Sequence, residues 1–144
     1  FGWRLDDLHD IAQRLDAIAA AAPALQGRID ATRIAATGHS FGGLVAQTLG
    51  GATYRDMATG QSVSRALGGV RGVIIFSGAG AMEPLLAAAD FAALKLPTLV
   101  TVGSEDLAQA PGLTGYQWRR QPFDLIAPGD KYLLSLDGAD HYLG

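Results

Sequence analysis

A serine in a glycine-flanked turn is the residue of this sequence best placed to do chemistry. Ser40 lies in the pattern Gly38-His39-Ser40-Phe41-Gly42, which follows a β-rich run and opens a helical run. A sharp turn between a strand and a helix lifts the hydroxyl clear of the strand and into the positive end of the helix dipole. The flanking glycines permit this turn because they carry no side chain that would clash. The N–H of Phe41 would then point to the place where an oxyanion forms.

A nucleophilic serine needs two partners, and two loops further along the chain offer them. A hydroxyl attacks at neutral pH only when a base lies in hydrogen-bond reach, and the base needs an acid that fixes its tautomer. Segment 103–106 reads Gly-Ser-Glu-Asp, and segment 137–141 reads Asp-Gly-Ala-Asp-His. Each segment follows a predicted strand, so we expect both to lie at the carboxyl ends of the strands, as Ser40 does.

The predicted base is His141, one of three histidines in the chain. His9 lies near the acidic start of the first predicted helix, and we interpret it as a solvated or capping residue. His39 lies inside the turn, where local geometry points it away from the serine, and we interpret it as a packing or supporting residue. The alternative for His141 is a loop histidine that is bonded to nearby backbone.

Four acidic residues lie in the two loops, and Asp106 is the predicted acid, with Glu105 as the second choice. Asp140 is adjacent to His141, and neighbours in an extended loop tend to point apart. Asp137 fits a role in fixing its own loop, because aspartates often bond to nearby backbone in turns. The alternative for all four is an ordinary loop residue, since aspartate is frequent in turns.

Hydrophobic periodicity predicts the elements that position these residues. Apolar residues recur at three- and four-residue steps over 6–21, which predicts a helix ended by Pro23 and Gly27. The continuous apolar run 70–76 predicts a strand that is buried on both faces. The other predicted elements are a strand ending at residue 37, a helix from the turn to residues 50–51, a helix over 84–94, and strands over 97–102 and 132–136. Predicted loops are 53–68, with the option of a short helix, 103–130 and 137–144.

The alternation of helices and strands predicts an α/β fold with a parallel sheet and right-handed crossovers. The chain has 144 residues, of which 49% are hydrophobic, which is enough for one domain with a real core. The absence of internal repeats and linkers predicts a single domain over 1–144.

Charge and composition exclude several classes of function. The chain has no cysteine, which excludes disulfides, thiolate metal sites and a cysteine nucleophile. The formal net charge is −3 and the only adjacent basic pair is Arg119-Arg120, which argues against a nucleic-acid partner. No apolar run is long enough to cross a bilayer. The first residues do not resemble a signal peptide, so we expect a soluble chain whose compartment is unknown.

No cofactor is predicted. Segment 78–83 begins like a dinucleotide-binding fingerprint, but Glu83 stands where the third glycine belongs, and its charge would oppose a pyrophosphate. No group of histidine and acidic residues has the spacing of a metal site.

Aromatic residues of the predicted loop 103–130 are candidates for a substrate pocket. Tyr116 and Trp118, together with Phe123, lie between the predicted acid and the last strand. The alternative is that these rings anchor the loop to the core. Small residues around the turn, Gly42, Gly43 and 79–81, favour a modest acyl group.

Taken together, these segments resemble the serine α/β-hydrolases, and most closely the predicted dienelactone hydrolases and platelet-activating-factor acetylhydrolase-like esterases. The resemblance rests on 33–43, 70–77, 98–106 and 129–141. It implies an α/β-hydrolase-type parallel sheet with flanking helices, and cleavage of small-molecule carboxylic esters through an acyl-enzyme. The implied roles are Ser40 as nucleophile, Asp106 as acid, His141 as base and the Phe41 N–H as one oxyanion donor.

The resemblance also implies that part of the usual fold has no counterpart in this sequence. In the family several strands precede the first helix seen here, and a loop among them carries the second oxyanion donor. We therefore expect the C-terminal half of a hydrolase domain that lacks the N-terminal strands. An exposed strand edge then predicts a homodimer or an association with the missing N-terminal segment. The alternative function is a truncated, weakly active or inactive hydrolase that acts as a binding or assembly module.

Overall fold

The main sheet of the described residues has four parallel strands, with helices packed against it. The computed structural model describes residues 1–107 and 112–143. Residues 108–111 and 144, which belong to predicted loops, lie outside the described residues. The helices and strands, in chain order, are α1 Gly2–Gln13, α2 Leu15–Ala21, β1 Ile34–His39, α3 Phe41–Leu49, β2 Tyr54–Arg55, β3 Ser62–Val63, β4 Val70–Phe76, β5 Thr98–Gly103, α4 Gly115–Leu125 and β6 Lys131–Leu136.

The strand order β1-β4-β5-β6 confirms the predicted parallel sheet, because every neighbouring pair runs in the same direction. The central strands bury Val73 and Ile75 of β4, and Val100 and Val102 of β5. Strand β1 lies at one edge and β6 at the other. All four strands therefore present their carboxyl ends, and the loops that follow them, along one side of the sheet.

Helix α3 lies against β1 and β4, and it supplies much of the core. Its residues 43–49 are buried, among them Leu44 and Val45. Helix α4 lies against β5. No helix of residues 1–107 and 112–143 combines the length and the apolar character needed to traverse a bilayer.

The predicted helix over 6–21 is divided in two. Helix α1 begins at Gly2, and the chain leaves regular helical geometry at Arg14 before α2 begins. The acidic residues expected near the start of this helix consequently lie beyond its first turn. His9 is partly buried, and its Nε2 lies 3.1 Å from the Arg65 carbonyl, so it ties α1 to the loop after β3.

The prediction of a loop over 103–130 was wrong, because this segment contains α4. Thr114 begins the helix with a capping box, in which its hydroxyl accepts the Gln117 N–H and its own N–H donates to the Gln117 side chain. Pro122 lies inside the helix. The packing of α4 on β5 outweighs the helix-breaking tendency of this proline, which the sequence pattern alone had favoured.

Two further segments differ from the predictions. The segment 84–94 is not an α-helix, since its regular part is the 3-10 helix Ala88–Ala93. Asp90 stabilises that turn by accepting the Ala87 N–H and the Thr53 hydroxyl. The segment 53–68 contains the antiparallel pair β2 and β3, not a short helix.

Candidate active site

Ser40 occupies a strained turn between β1 and α3. Its backbone angles are φ 56° and ψ −118°, a conformation that residues other than glycine rarely adopt. The Ser40 N–H donates to the Phe76 carbonyl at 2.9 Å, which fixes the turn to the end of β4. A Cβ at Gly38 would lie 2.1 Å from the Gly42 carbonyl oxygen, so the turn requires glycine there. A sharp turn between a strand and a helix is what a nucleophile elbow requires, and that role for Ser40 stays a prediction.

Phe41 directly follows Ser40 and is the first residue of α3. N–H groups in the first turn of a helix have no intrahelical acceptor, and the helix dipole adds partial positive charge there. The Phe41 ring is 46% exposed and makes an edge contact with the Phe1 ring at 5.8 Å between centroids. An open groove of about 700 Å³ lies beside Phe41 and Gly42, with Trp3 and Arg4 on its other wall.

Asp106 and His141 form a close pair at the same side of the sheet. The Asp106 side chain is 0% exposed, and His141 Nδ1 lies 3.1 Å from both of its carboxylate oxygens. A carboxylate can only accept, so Nδ1 carries the proton and donates it to Asp106. His141 Nε2 is then left with a lone pair that can take a proton from a hydroxyl.

The other three loop acids lie in different surroundings. Glu105 is exposed. Asp137 accepts the Ser104 hydroxyl, and Asp140 accepts the Tyr142 N–H at 2.7 Å. Both aspartates thus hold the loops in shape, whereas Asp106 alone of the four contacts the His141 ring in the described residues.

His39 joins the serine turn to the histidine loop, a contact that the sequence did not indicate. Its Nε2 lies 2.7 Å from the His141 carbonyl, and because a carbonyl only accepts, that nitrogen carries the proton. The His39 and His141 rings lie 4.6 Å apart between centroids, and the Tyr142 ring contacts both. His39 therefore links the turn at Ser40 to the backbone of the predicted base, His141. Within the described residues no hydrogen bond joins the Ser40 hydroxyl to the His141 ring.

Arg119 is the second residue of the site that sequence reasoning missed. It lies on α4 with a side chain that is 10% exposed, and its Nε is 3.5 Å from Asp106 Oδ1. Burial lowers the pKa of the Arg119 guanidinium, and the adjacent Asp106 carboxylate opposes that shift. The signal in the sequence is the spacing of the buried positions Gly115, Arg119 and Pro122, which places the arginine on the inward face of a helix.

Tyr116 and Trp118 lie on α4, not in a loop. Trp118 Nε1 donates to the Ala81 carbonyl at 2.8 Å, and the Tyr116 hydroxyl accepts from Ser135 at 3.3 Å. Both rings are partly buried and hold α4 to its neighbours. Their role in lining a substrate pocket stays a prediction.

The glycines over 78–80 serve close packing. A Cβ at Gly78 would lie 2.2 Å from the Ile75 side chain, and one at Gly80 would lie 2.3 Å from the Trp118 carbonyl. Gly43 likewise has Gly78 as its nearest neighbour. These glycines bring α3, α4 and the loop after β4 together, whereas a Cβ at Gly42 would meet no atom within 4 Å, and the size of the acyl group stays a prediction.

Comparison with solved structures shows the fold. A truncated form of a carbohydrate esterase from gut microbiota has a TM-score of 0.56 and 17% identity over 92% of this chain. A monoacylglycerol lipase from Paleococcus ferrophilus has a TM-score of 0.53 and 14% identity over 95% of this chain. This chain spans 60% and 66% of the lengths of those two proteins. No family model and no curated protein matches the sequence.

The parallel sheet, the flanking helices and these similarities give the described residues an α/β-hydrolase-type fold. At such low identity the similarity defines the fold alone. The narrower resemblance to dienelactone hydrolases and platelet-activating-factor acetylhydrolase-like esterases stays a prediction.

Proposed function

We propose that this protein is a serine esterase that cleaves small-molecule carboxylic esters through an acyl-enzyme. The observation that carries the proposal is the buried Asp106 carboxylate, 3.1 Å from His141 Nδ1, on the side of the sheet where the strained turn presents Ser40. The α/β-hydrolase-type fold supports the proposal, and so does the occurrence of an esterase and a lipase among the proteins that share it.

In the proposed reaction Ser40, Asp106 and His141 act first in acylation of the serine and then in hydrolysis of the acyl-enzyme. Ser40 attacks the ester carbonyl while His141 Nε2 takes the hydroxyl proton, and His141 then gives that proton to the leaving alcohol. Asp106 orients the imidazole and stabilises its charged form. Water repeats the sequence on the acyl-enzyme, which releases the acid and restores Ser40.

The oxyanion of this reaction would be held by the Phe41 N–H. In the described residues the Phe41 N–H is the one donor that we assign, and the loss of a second donor would cost about 3–4 kcal/mol of transition-state stabilisation. We therefore expect slow turnover by this chain alone, and a faster rate when another segment adds a second donor beside Phe41.

The outer edge of β1 supports the second candidate function, a weakly active module that assembles with another strand. Strand β1 ends the sheet of the described residues, and Ala35 on it is exposed. An apolar groove of about 240 Å³ runs beside that edge, between Leu8, Ile11 and Ile34. An open edge with apolar walls favours strand addition, from a second copy of this chain or from a preceding segment.

A fluorophosphonate probe and a short-chain nitrophenyl ester test the proposed function together. We expect the probe to label the parent protein at Ser40, as mapped by peptide mass spectrometry, and the ester to be hydrolysed. Ser40→Ala should abolish both, whereas the control Ser64→Ala, at an exposed loop position, should leave both unchanged. Labelling that persists in Ser40→Ala removes this residue from the nucleophile role.

Labelling of Ser40 without measurable turnover favours the assembly module. Sedimentation then tests the open edge, because Ala35→Lys puts a charge on β1 and should shift any dimer to monomer. Gln61→Lys adds the same charge on the β2–β3 hairpin and should leave the dimer intact. A parent protein that stays monomeric at every concentration excludes self-association through this edge.

A further inference from the structure

A charged side chain of α4 lies buried behind the pair formed by Asp106 and His141. Arginine is almost never buried unless it is paired, yet the Arg119 side chain is only 10% exposed. Its Nη1 donates to the Ser77 carbonyl at 2.8 Å, and its Nε lies 3.5 Å from Asp106 Oδ1. The guanidinium also lies over the Trp118 ring, 4.7 Å from the centroid, which supports its plane from one side.

The side chains of Arg119, Asp106 and His141 form a chain in which Arg119 and His141 both approach the same oxygen of Asp106. Asp106 Oδ1 is 3.1 Å from His141 Nδ1 and 3.5 Å from Arg119 Nε. Because the Asp106 side chain is 0% exposed, Arg119 supplies the positive charge beside it in the described residues, and the neutral His141 supplies a hydrogen-bond donor. Arg119 Nε lies in ion-pair range of Asp106 Oδ1 without a hydrogen bond to it, so this attraction between charges favours the carboxylate orientation in which Oδ1 faces both Arg119 and His141.

The contact with Ser77 connects this chain to the nucleophile. Arg119 binds the Ser77 carbonyl, and the preceding carbonyl, that of Phe76, accepts the Ser40 N–H at 2.9 Å. The end of β4 therefore holds both the serine turn and the arginine that contacts Asp106. The backbone of Phe76 and Ser77 thus sets the position of Asp106 relative to Ser40.

We propose that Arg119 is a positioning residue for the acid of the triad, fixing the Asp106 carboxylate so that His141 is held in its reactive tautomer and orientation. The inference rests on the proposed function, in which Ser40, Asp106 and His141 act together. Arg119 acts through Asp106 and does not contact the reacting atoms. A purely structural role, as a link between α4 and β4, is the alternative that the experiment must separate from it.

The substitutions are Arg119→Met, which removes the charge and the donors, and Arg119→Lys, which keeps the charge but offers one donor group where the guanidinium offers several. Arg120→Met is the matched control, because Arg120 is the next residue of α4 and pairs on the surface with Asp124 at 3.1 Å. Melting curves of all three identify the temperature range in which each variant is folded. The lysine variant keeps the experiment decisive if the methionine variant does not fold.

The first measurement is the rate of Ser40 acylation by the nitrophenyl ester, with KM determined alongside. We expect Arg119→Met to lower kcat by about 10²-fold, the loss that a misplacement of about 1 Å produces, with KM nearly unchanged. Arg119→Lys should recover part of kcat, and Arg120→Met should match the parent. A methionine variant that is less stable but equally active per folded molecule overturns the proposal in favour of the structural link.

The second measurement does not depend on activity. The proton on His141 Nδ1 should give a low-field proton resonance in NMR spectra, identified by its absence from His141→Gln. We expect this resonance to broaden or disappear in Arg119→Met and to persist in Arg120→Met. An unchanged resonance in Arg119→Met overturns the positioning role, whereas a parent protein that shows the resonance but is not labelled at Ser40 contradicts only the proposed function.

Discussion

Substituting Gly103 by alanine tests whether the close approach of two loops sets the candidate site. Gly103 ends β5, and its carbonyl accepts the Asp106 N–H at 3.2 Å. A Cβ at this position would lie 2.1 Å from the Ala139 carbonyl oxygen and 2.7 Å from that of Asp140. Both oxygens belong to backbone, so no side chain can rotate away, and the loop that carries His141 must move.

The size of that movement follows from the distances. Ordinary van der Waals contact of a Cβ begins at 3.4 Å, so the loop must retreat by about 1.3 Å from Gly103. Since His141 Nδ1 lies 3.1 Å from both Asp106 oxygens, such a shift breaks that hydrogen bond. Misplacement on this scale costs about 10²-fold in rate. The overpacking costs about 1–3 kcal/mol of unfolding free energy, which leaves most domains folded at room temperature.

The assay is the rate of fluorophosphonate labelling at Ser40, with urea unfolding measured on the same sample. We expect Gly103→Ala to be folded and to label about 10²-fold more slowly than the parent. Gly68→Ala is the matched control, because a Cβ there meets no atom within 4 Å. Labelling of Gly103→Ala at the parent's rate would refute the inference that this close approach positions His141. It would mean that the loop accommodates the added methyl group without displacing His141.

Three more substitutions test single interactions of the fold and the site. Asp106→Asn should lower kcat by about 10⁴-fold, because the amide favours the wrong tautomer of His141, and a loss of less than tenfold in ester hydrolysis contradicts the assigned role. His39→Phe keeps the ring but loses the hydrogen bond to the His141 carbonyl, which is worth about 0.5–1.5 kcal/mol, so acylation should slow by up to about tenfold. An unchanged acylation rate in His39→Phe would show that the hydrogen bond from His39 does not hold the loop that carries His141. Asp30 has a pKa below its usual 3.8, chiefly because it accepts the Thr32 hydroxyl, so its carboxylate stabilises the fold above that pH, and the contribution disappears as pH falls through the lowered value. Asp30→Asn should therefore lower the urea midpoint at neutral pH and match the parent in strong acid; an equal difference at both pH values contradicts the linkage.

Local sequence patterns were sufficient for the elements whose structure depends on local forces. The run Val70–Phe76 forms the predicted strand, because its β-branched and apolar residues suit a strand enclosed by two neighbours. The turn at Ser40 was predictable because Gly38 and Gly42 approach each other too closely for any other residue at position 38.

Patterns failed where packing overrides local preference. Pro122 favoured a loop, yet α4 forms around it because the helix begins with the Thr114 capping box and packs on β5. The segment 84–94 has helical composition, but only the 3-10 helix Ala88–Ala93 forms there. In both cases contacts with distant residues decide between conformations of similar local free energy.

The sequence by itself determined which reactive groups this protein has and the order in which they occur: Ser40, then acids in 103–106, then His141. Only the tertiary structure decided which acid meets the histidine, because that depends on how the loops after β5 and β6 fold over each other. It also decided that His39 contacts the His141 backbone and that Arg119 contacts Asp106, since neither contact joins residues that are near in the chain. Chemical identity is a property of each residue, whereas distance between remote residues is set by the packing of the whole sheet.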